Sequence, residues 1–173
     1  MEKYLPDIYQ KSIYTVDYSK LLSHGVKYLL FDLDNTIVPP DYTEMPQKAK
    51  DLFTGLKQKG FKVIIFSNSP KFKVHPLKKF LGVDAYYSCH KPFSYKFKKV
   101  MHDYKTDITQ MAIIGDQLLT DIRGGNKIGI TTILVNPISN KDHFYTKIGR
   151  YYENYLMNKM LDKNIFSKGR YYG

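Results

Sequence analysis

The chain has 173 residues, 43% hydrophobic and 25% charged, which suits one soluble domain spanning residues 1–173 with a single sizeable core. Its net charge of +11 favours anionic partners: phosphorylated substrates, nucleic acid or an acidic lipid surface. The lone cysteine, Cys89, excludes an internal disulfide and suits a reducing cytoplasmic setting.

The first 18 residues are polar and Tyr-rich, without the apolar stretch of a signal peptide. No apolar run is long enough to span a bilayer, so any membrane contact is expected to be peripheral. Apolar runs at 27–32, 61–66, 111–115 and 131–135, and a weaker one at 85–88, read as buried strands. Helical patterns lie between them. The first, 46–59, carries Ala49, Leu52, Phe53 and Leu56 and stops at Gly60. The next, 71–81, stops at Gly82. A third, 93–104, sets Phe93, Phe97, Val100 and Tyr104 on one face. A fourth, 118–128, stops at Gly129. Past residue 141, Phe144, Ile148, Tyr151 and Tyr155 recur at helical spacing. A helix packed on the core is expected there in preference to an interfacial one, with a frayed end at 167–173.

Strands alternating with helices predict an α/β fold, a three-layer, doubly wound, mostly parallel sheet. The core covers about 25–137, with an N-terminal extension and a C-terminal helical tail. In such sheets ligands bind beyond the carboxyl ends of the strands. Polar residues do follow the apolar runs: Asp32-Leu-Asp34 after the first, Ser67-Asn68 after the second, Gly115-Asp116 after the fourth. Two carboxylates at i and i+2 share one side of an extended chain. Unpaired carboxylates so close to a core are costly, which favours a functional reading over a turn.

In this order the motifs resemble those of the haloacid dehalogenase-like (HAD) phosphatase superfamily. Asp32-Leu-Asp34-Asn35-Thr36-Ile37 resembles its first motif, Ser67-Asn68 the second, Lys91-Pro92 the third, and Gly115-Asp116 with Thr120-Asp121 the fourth. More narrowly the chain is similar to the YqeG-like subclass IIIA family, related to phosphatidylglycerophosphate phosphatases. Asp32-Leu-Asp-Asn-Thr and the N-terminal run from Leu5-Pro-Asp-Ile-Tyr to Asp17-Tyr carry that match.

The resemblance implies a phosphatase that forms an aspartyl-phosphate on Asp32, with Asp34 as general acid and base. It assigns Mg2+ to the Asp32 carboxylate, the Asp34 carbonyl and the Asp116 carboxylate. Lys91 would supply fixed positive charge, and Asp121 would orient Lys91 or a metal-bound water. Ser67 would hydrogen-bond the phosphoryl group, and Asn68, Asn35 and Thr36 would complete substrate binding. An acid at position 34 argues against dehalogenation. The intervals Asp32–Ser67 and Ser67–Lys91 are too short for a large cap domain, so an open site is expected.

Between residues 71 and 105, nine Lys stand against two Asp, a net +7 beside the third motif. Such a rim suits a polyanion or an anionic bilayer. The competing expectation is a basic HAD-fold RNA- or ribosome-binding module with little turnover. Charge permits it, but no recognised RNA motif accompanies it.

Overall fold

The computed structural model describes residues 1–139, 144–162 and 169–173, with backbone alone at 144–148, 150, 161 and 162. Six strands form one sheet: β1 (Ile8–Gln10), β2 (Tyr28–Phe31), β3 (Lys62–Phe66), β4 (Asp84–Tyr86), β5 (Met111–Gly115) and β6 (Thr131–Val135). Their order is β1-β6-β5-β2-β3-β4, and every pairing is parallel. The crossover helices are α1 (Tyr18–Ser23), α2 (Gln47–Gln58), α3 (Lys71–Leu81), α4 (Tyr95–Tyr104) and α5 (Arg123–Ile128), followed by α6 (Phe144–Asp162). The chain is α/β, as its alternation of patterns predicts.

Alternate strand residues feed two cores. Leu29, Phe31, Val63, Ile65 and Ile114 meet Phe53 and Leu56 of α2 and Val74 and Leu77 of α3 on one face. Leu30, Ile64, Phe66 and Ile113 meet Phe97 and Val100 of α4 on the other. Helix α5 lies close on the sheet because Gly125 has no side chain. A Cβ there would fall 2.5 Å from the Thr132 methyl and 2.7 Å from an Ile113 methyl. No helix among the described residues is long and apolar enough to cross a membrane.

Several expectations are corrected. Strand β1 was not predicted: three residues at a sheet edge are too few to show a period. It pairs Ile8, Tyr9 and Gln10 with Ile133, Leu134 and Val135. The helix expected from 93 starts at Tyr95, because Phe93 N donates to His90 O in the preceding turn. Phe93 is consequently exposed, while Phe97 and Val100 are buried. The pattern 118–128 divides into a wide, π-type turn at Leu118–Ile122 and then α5.

The tail helix forms and packs on the core as expected, but in a different phase. Leu156 and Met160 are buried while Tyr151 and Tyr155 are exposed. Met160 joins Tyr9, Leu118, Ile122 and Leu134 in a third apolar cluster. The side chains of Phe144 and Ile148 lie outside the described residues. The chain end is not frayed where described: Tyr172 pairs antiparallel with Tyr9 across two 2.9 Å hydrogen bonds.

Candidate active site

The sheet order reverses between β2 and β5, where chain direction takes β3 and β4 one way and β6 and β1 the other. The crevice rule puts a ligand at the carboxyl ends of those strands. Asp32 follows β2 directly, and its backbone N–H continues the ladder by donating to Ile114 O at 2.9 Å. Beyond it the chain turns back, with Ile37 N and Val38 N both donating to Leu33 O. Asn35 sits at φ 61°, a left-handed position that Asn tolerates better than most residues. Its side-chain oxygen accepts from the N–H and hydroxyl of Ser139, at 3.1 and 3.0 Å.

At the centre lies a buried charge cluster. Lys91 Nζ donates to Asp32 Oδ1 at 2.5 Å, to Asp121 Oδ1 at 2.6 Å and to Phe66 O at 2.9 Å. Its backbone is clamped by Asn68, whose Oδ1 accepts from Lys91 N at 2.8 Å. The local chain is unusual, with a cis Lys91–Pro92 peptide and positive φ at Ser88 and His90. Asp121 accepts through its other oxygen from Gln117 N at 3.2 Å. The wide turn at 118–122 carries this carboxylate back over β5. Gly115 leaves the room, since a Cβ there would fall 2.2 Å from the Asp121 carboxyl carbon.

Asp116 accepts from Thr36 Oγ1 at 2.9 Å. Oxygens of Asp32, Asp116 and Asp121 lie within 4.8 Å of one another, and all three residues are buried. Hard carboxylate oxygens at this density fit a small divalent cation such as Mg2+. Within this group Asp121 has both oxygens engaged, by Lys91 and by Gln117 N.

Charge and burial pull the titrating groups in opposite directions. Burial raises the Asp32 pKa, with Lys91 opposing, and the balance lies at about 7. Burial also raises Asp121, again against Lys91. For Lys91, burial alone would lower the pKa, but Asp121 and Asp32 outweigh it and hold the ammonium firmly charged. Burial pushes the neighbouring Cys89 thiol up to about 12, so it is not a nucleophile near neutrality.

Asp32 and Lys91 floor a cavity of about 550 Å3, lined also by Asp34, Ser67, Asn68 and Lys73, while Asp116 and Asp121 are not part of its lining. Asn35 and Thr36 do not line it; the first holds a turn and the second holds Asp116. Ser67 Oγ accepts from Ser69 N at 3.0 Å. Two residues that sequence reasoning left unassigned meet Asp34. Ser69 Oγ donates to Asp34 Oδ2 at 2.5 Å, and Lys73 forms an ion pair with the same carboxylate. Their closeness in sequence to Ser67 was the available signal. On the far wall, Glu153 of α6 is buried and accepts from Leu119 N at 2.9 Å. Nothing local marked Glu153, because its partner is 34 positions away.

A haloacid dehalogenase-like hydrolase family model matches residues 29–93, and a second HAD-hydrolase-like model matches 88–141. A probable phosphatase, YqeG of Bacillus subtilis, is 34% identical over 92% of this chain and 93% of its own length. The chloroplastic phosphatidylglycerophosphate phosphatase 1 of Chlamydomonas reinhardtii is 27% identical, covering 78% of this chain and 54% of that one. Among solved structures, a 3-deoxy-D-manno-octulosonate 8-phosphate phosphatase from Moraxella catarrhalis, in complex with magnesium, phosphate and KDO, shares the fold. Its TM-score is 0.53 at 18% identity, over 70% of this chain and 74% of that one. A parallel sheet with a carboxylate and lysine cluster at its switch point defines a HAD-type hydrolase site. The chain belongs to the haloacid dehalogenase-like hydrolases and, within them, to the YqeG-like family of phosphatases.

Proposed function

We infer that this protein is a Mg2+-dependent phosphomonoester phosphatase working through an aspartyl-phosphate on Asp32. The observation that carries this reading is the Lys91 ammonium held between Asp32 and Asp121 at the floor of an open cavity. A phosphomonoester brings negative charge to a carboxylate nucleophile, so the site must neutralise charge before attack. Lys91 does part of this without needing to move.

Mg2+, held by the Asp32 and Asp116 carboxylates with the Asp34 carbonyl, would screen the phosphoryl oxygens and polarise phosphorus. Asp32 attacks phosphorus in line, forming the acyl-phosphate bond as the ester P–O bond breaks. Asp34, which Ser69 and Lys73 hold beside the cavity as a carboxylate, takes up a proton when substrate binds and passes it to the leaving alkoxide. In the second half, Asp34 takes a proton from water as that water attacks phosphorus and releases Asp32. Ser67 and Asn68 line the floor where phosphoryl oxygens would sit.

The phosphorylated headgroup of an anionic phospholipid, phosphatidylglycerophosphate foremost, is the substrate we favour. Similarity to phosphatases named for that lipid and the basic stretch 71–105 support it. The cytoplasmic, peripheral setting goes with that substrate. Neither the site nor the relatives favour the RNA-binding alternative. The test is phosphate release from lipid, sugar and nucleotide monoesters with Mg2+ or with EDTA. Release that needs Mg2+ and is fastest on the lipid is the expected result. Absence of release from every monoester by folded protein would overturn the reading.

A further inference from the structure

The face beside the cavity mouth carries bulky rings with no protein to cover them. Phe72 at the start of α3 is 80% exposed, Phe93 before α4 is 65% exposed, and Tyr95 at the start of α4 is 71% exposed. Tyr87, after β4, links these segments. Lys71 Nζ lies 5.9 Å and Lys96 Nζ 5.8 Å from its ring centroid. Tyr87 thus brings the starts of α3 and α4 together through Lys71 and Lys96, and the exposed rings of Phe72 and Tyr95 are the chain neighbours of those two lysines. Phe72 also lines the cavity, so the patch adjoins the mouth of the site. Exposed phenyl rings gain nothing from water, and contiguous ones mark a surface with an occupant.

We propose that this patch is a docking surface for an anionic phospholipid bilayer. Exposed rings beside ammonium groups match the interfacial zone, where rings sit among headgroups and lysines reach anionic phosphates. The proposal uses the phosphatase reading to explain why the docked face is the one with the cavity. A headgroup phosphomonoester at the bilayer surface would then meet the mouth beside Phe72. Single-stranded RNA is the less favoured occupant. It would stack bases on ring faces, and the ammoniums of Lys71 and Lys96 already lie over the Tyr87 ring.

The test is co-sedimentation of the full chain with phosphatidylcholine vesicles, with and without phosphatidylglycerol. The same measurement is made for Phe93→Ser/Tyr95→Ser and Lys71→Glu/Lys96→Glu, with thermal melting as the check on folding. Wild type should bind only the anionic vesicles, and each folded double variant should lose about tenfold or more in affinity. Phe93→Ser/Tyr95→Ser should keep wild-type turnover of a soluble aryl phosphate. Equal binding to neutral vesicles, no binding to anionic ones, or variants that bind like wild type would overturn the proposal. So would oligoribonucleotide binding that is lost in the same variants while vesicle binding persists. Vesicle binding without any aryl phosphate turnover would support docking and overturn only the phosphatase reading.

Discussion

Lys91 Nζ donates to Asp32 Oδ1 across 2.5 Å in a position nearly sealed from solvent. The two residues are 59 positions apart and are joined by the β2–β3 half of the sheet and the clamp from Asn68. The proposed nucleophile and its counter-charge are thus in place before substrate arrives, which would leave little reorganisation for the reaction.

Lys91→Met should therefore damage both stability and turnover. It removes the charge but leaves Asp32 and Asp121 buried together, which costs about 3 kcal/mol or more. Turnover should fall by about 10²-fold or more, as for other preorganised charges. Denaturant melts and aryl phosphate kinetics measure the two effects. A variant with normal rate would remove Lys91 from the machinery.

The raised Asp32 pKa predicts a pH dependence of the metal-free protein. With the folded value at about 7 and the unfolded one near an ordinary Asp, the fold holds its proton more tightly than the unfolded chain. This contribution to stability is complete at low pH and is lost as pH rises from about 4 to about 7. Melting in EDTA should show that loss in wild type relative to Asp32→Asn. Mg2+ should restore stability to wild type, more strongly above pH 7 than below, because it competes with the proton for Asp32.

Gly115→Ala should cost about 1–3 kcal/mol, because the new methyl overlaps the Asp121 carboxylate. Displacing Asp121 also frees Lys91 from one of its two carboxylate partners, so turnover should fall more than stability alone explains. Comparing rates at a temperature where both proteins are fully folded separates these effects.

Glu153→Ala should loosen α6 from the site wall. Leaving the Leu119 N–H without its carboxylate costs about 1–3 kcal/mol. Faster hydrogen exchange in α6 and at 118–120, with exchange in β2 and β5 unchanged, is the expected pattern.

Much of the fold was legible because its signals are local. Apolar runs ending in Asp32, Ser67 and Gly115-Asp116 marked strand ends, and Gly60, Gly82 and Gly129, each at positive φ, marked helix ends. What was not legible depends on partners far along the chain. Strand β1 exists because β6 pairs with it, and Glu153 is buried because Leu119 needs an acceptor. Tyr151 and Tyr155 continue a helical period, yet the core takes Leu156 and Met160. Periodicity reports that one face is apolar, but aromatic residues on both faces hide which one docks. Asn35 and Thr36 sit inside a recognisable motif, yet their hydrogen bonds go to Ser139 and Asp116 and hold the loop together.

The covalent step distinguishes the proposed reaction from direct attack by water. Acid quenching during turnover of a phosphomonoester with Mg2+, then peptide mass spectrometry, looks for the phosphoryl group directly. The expected result is a phosphoryl increment on Asp32 of the wild type, and neither increment nor phosphate release in a folded Asp32→Asn variant. Turnover at the wild-type rate by Asp32→Asn, or a phosphoryl group trapped on another residue, would contradict it.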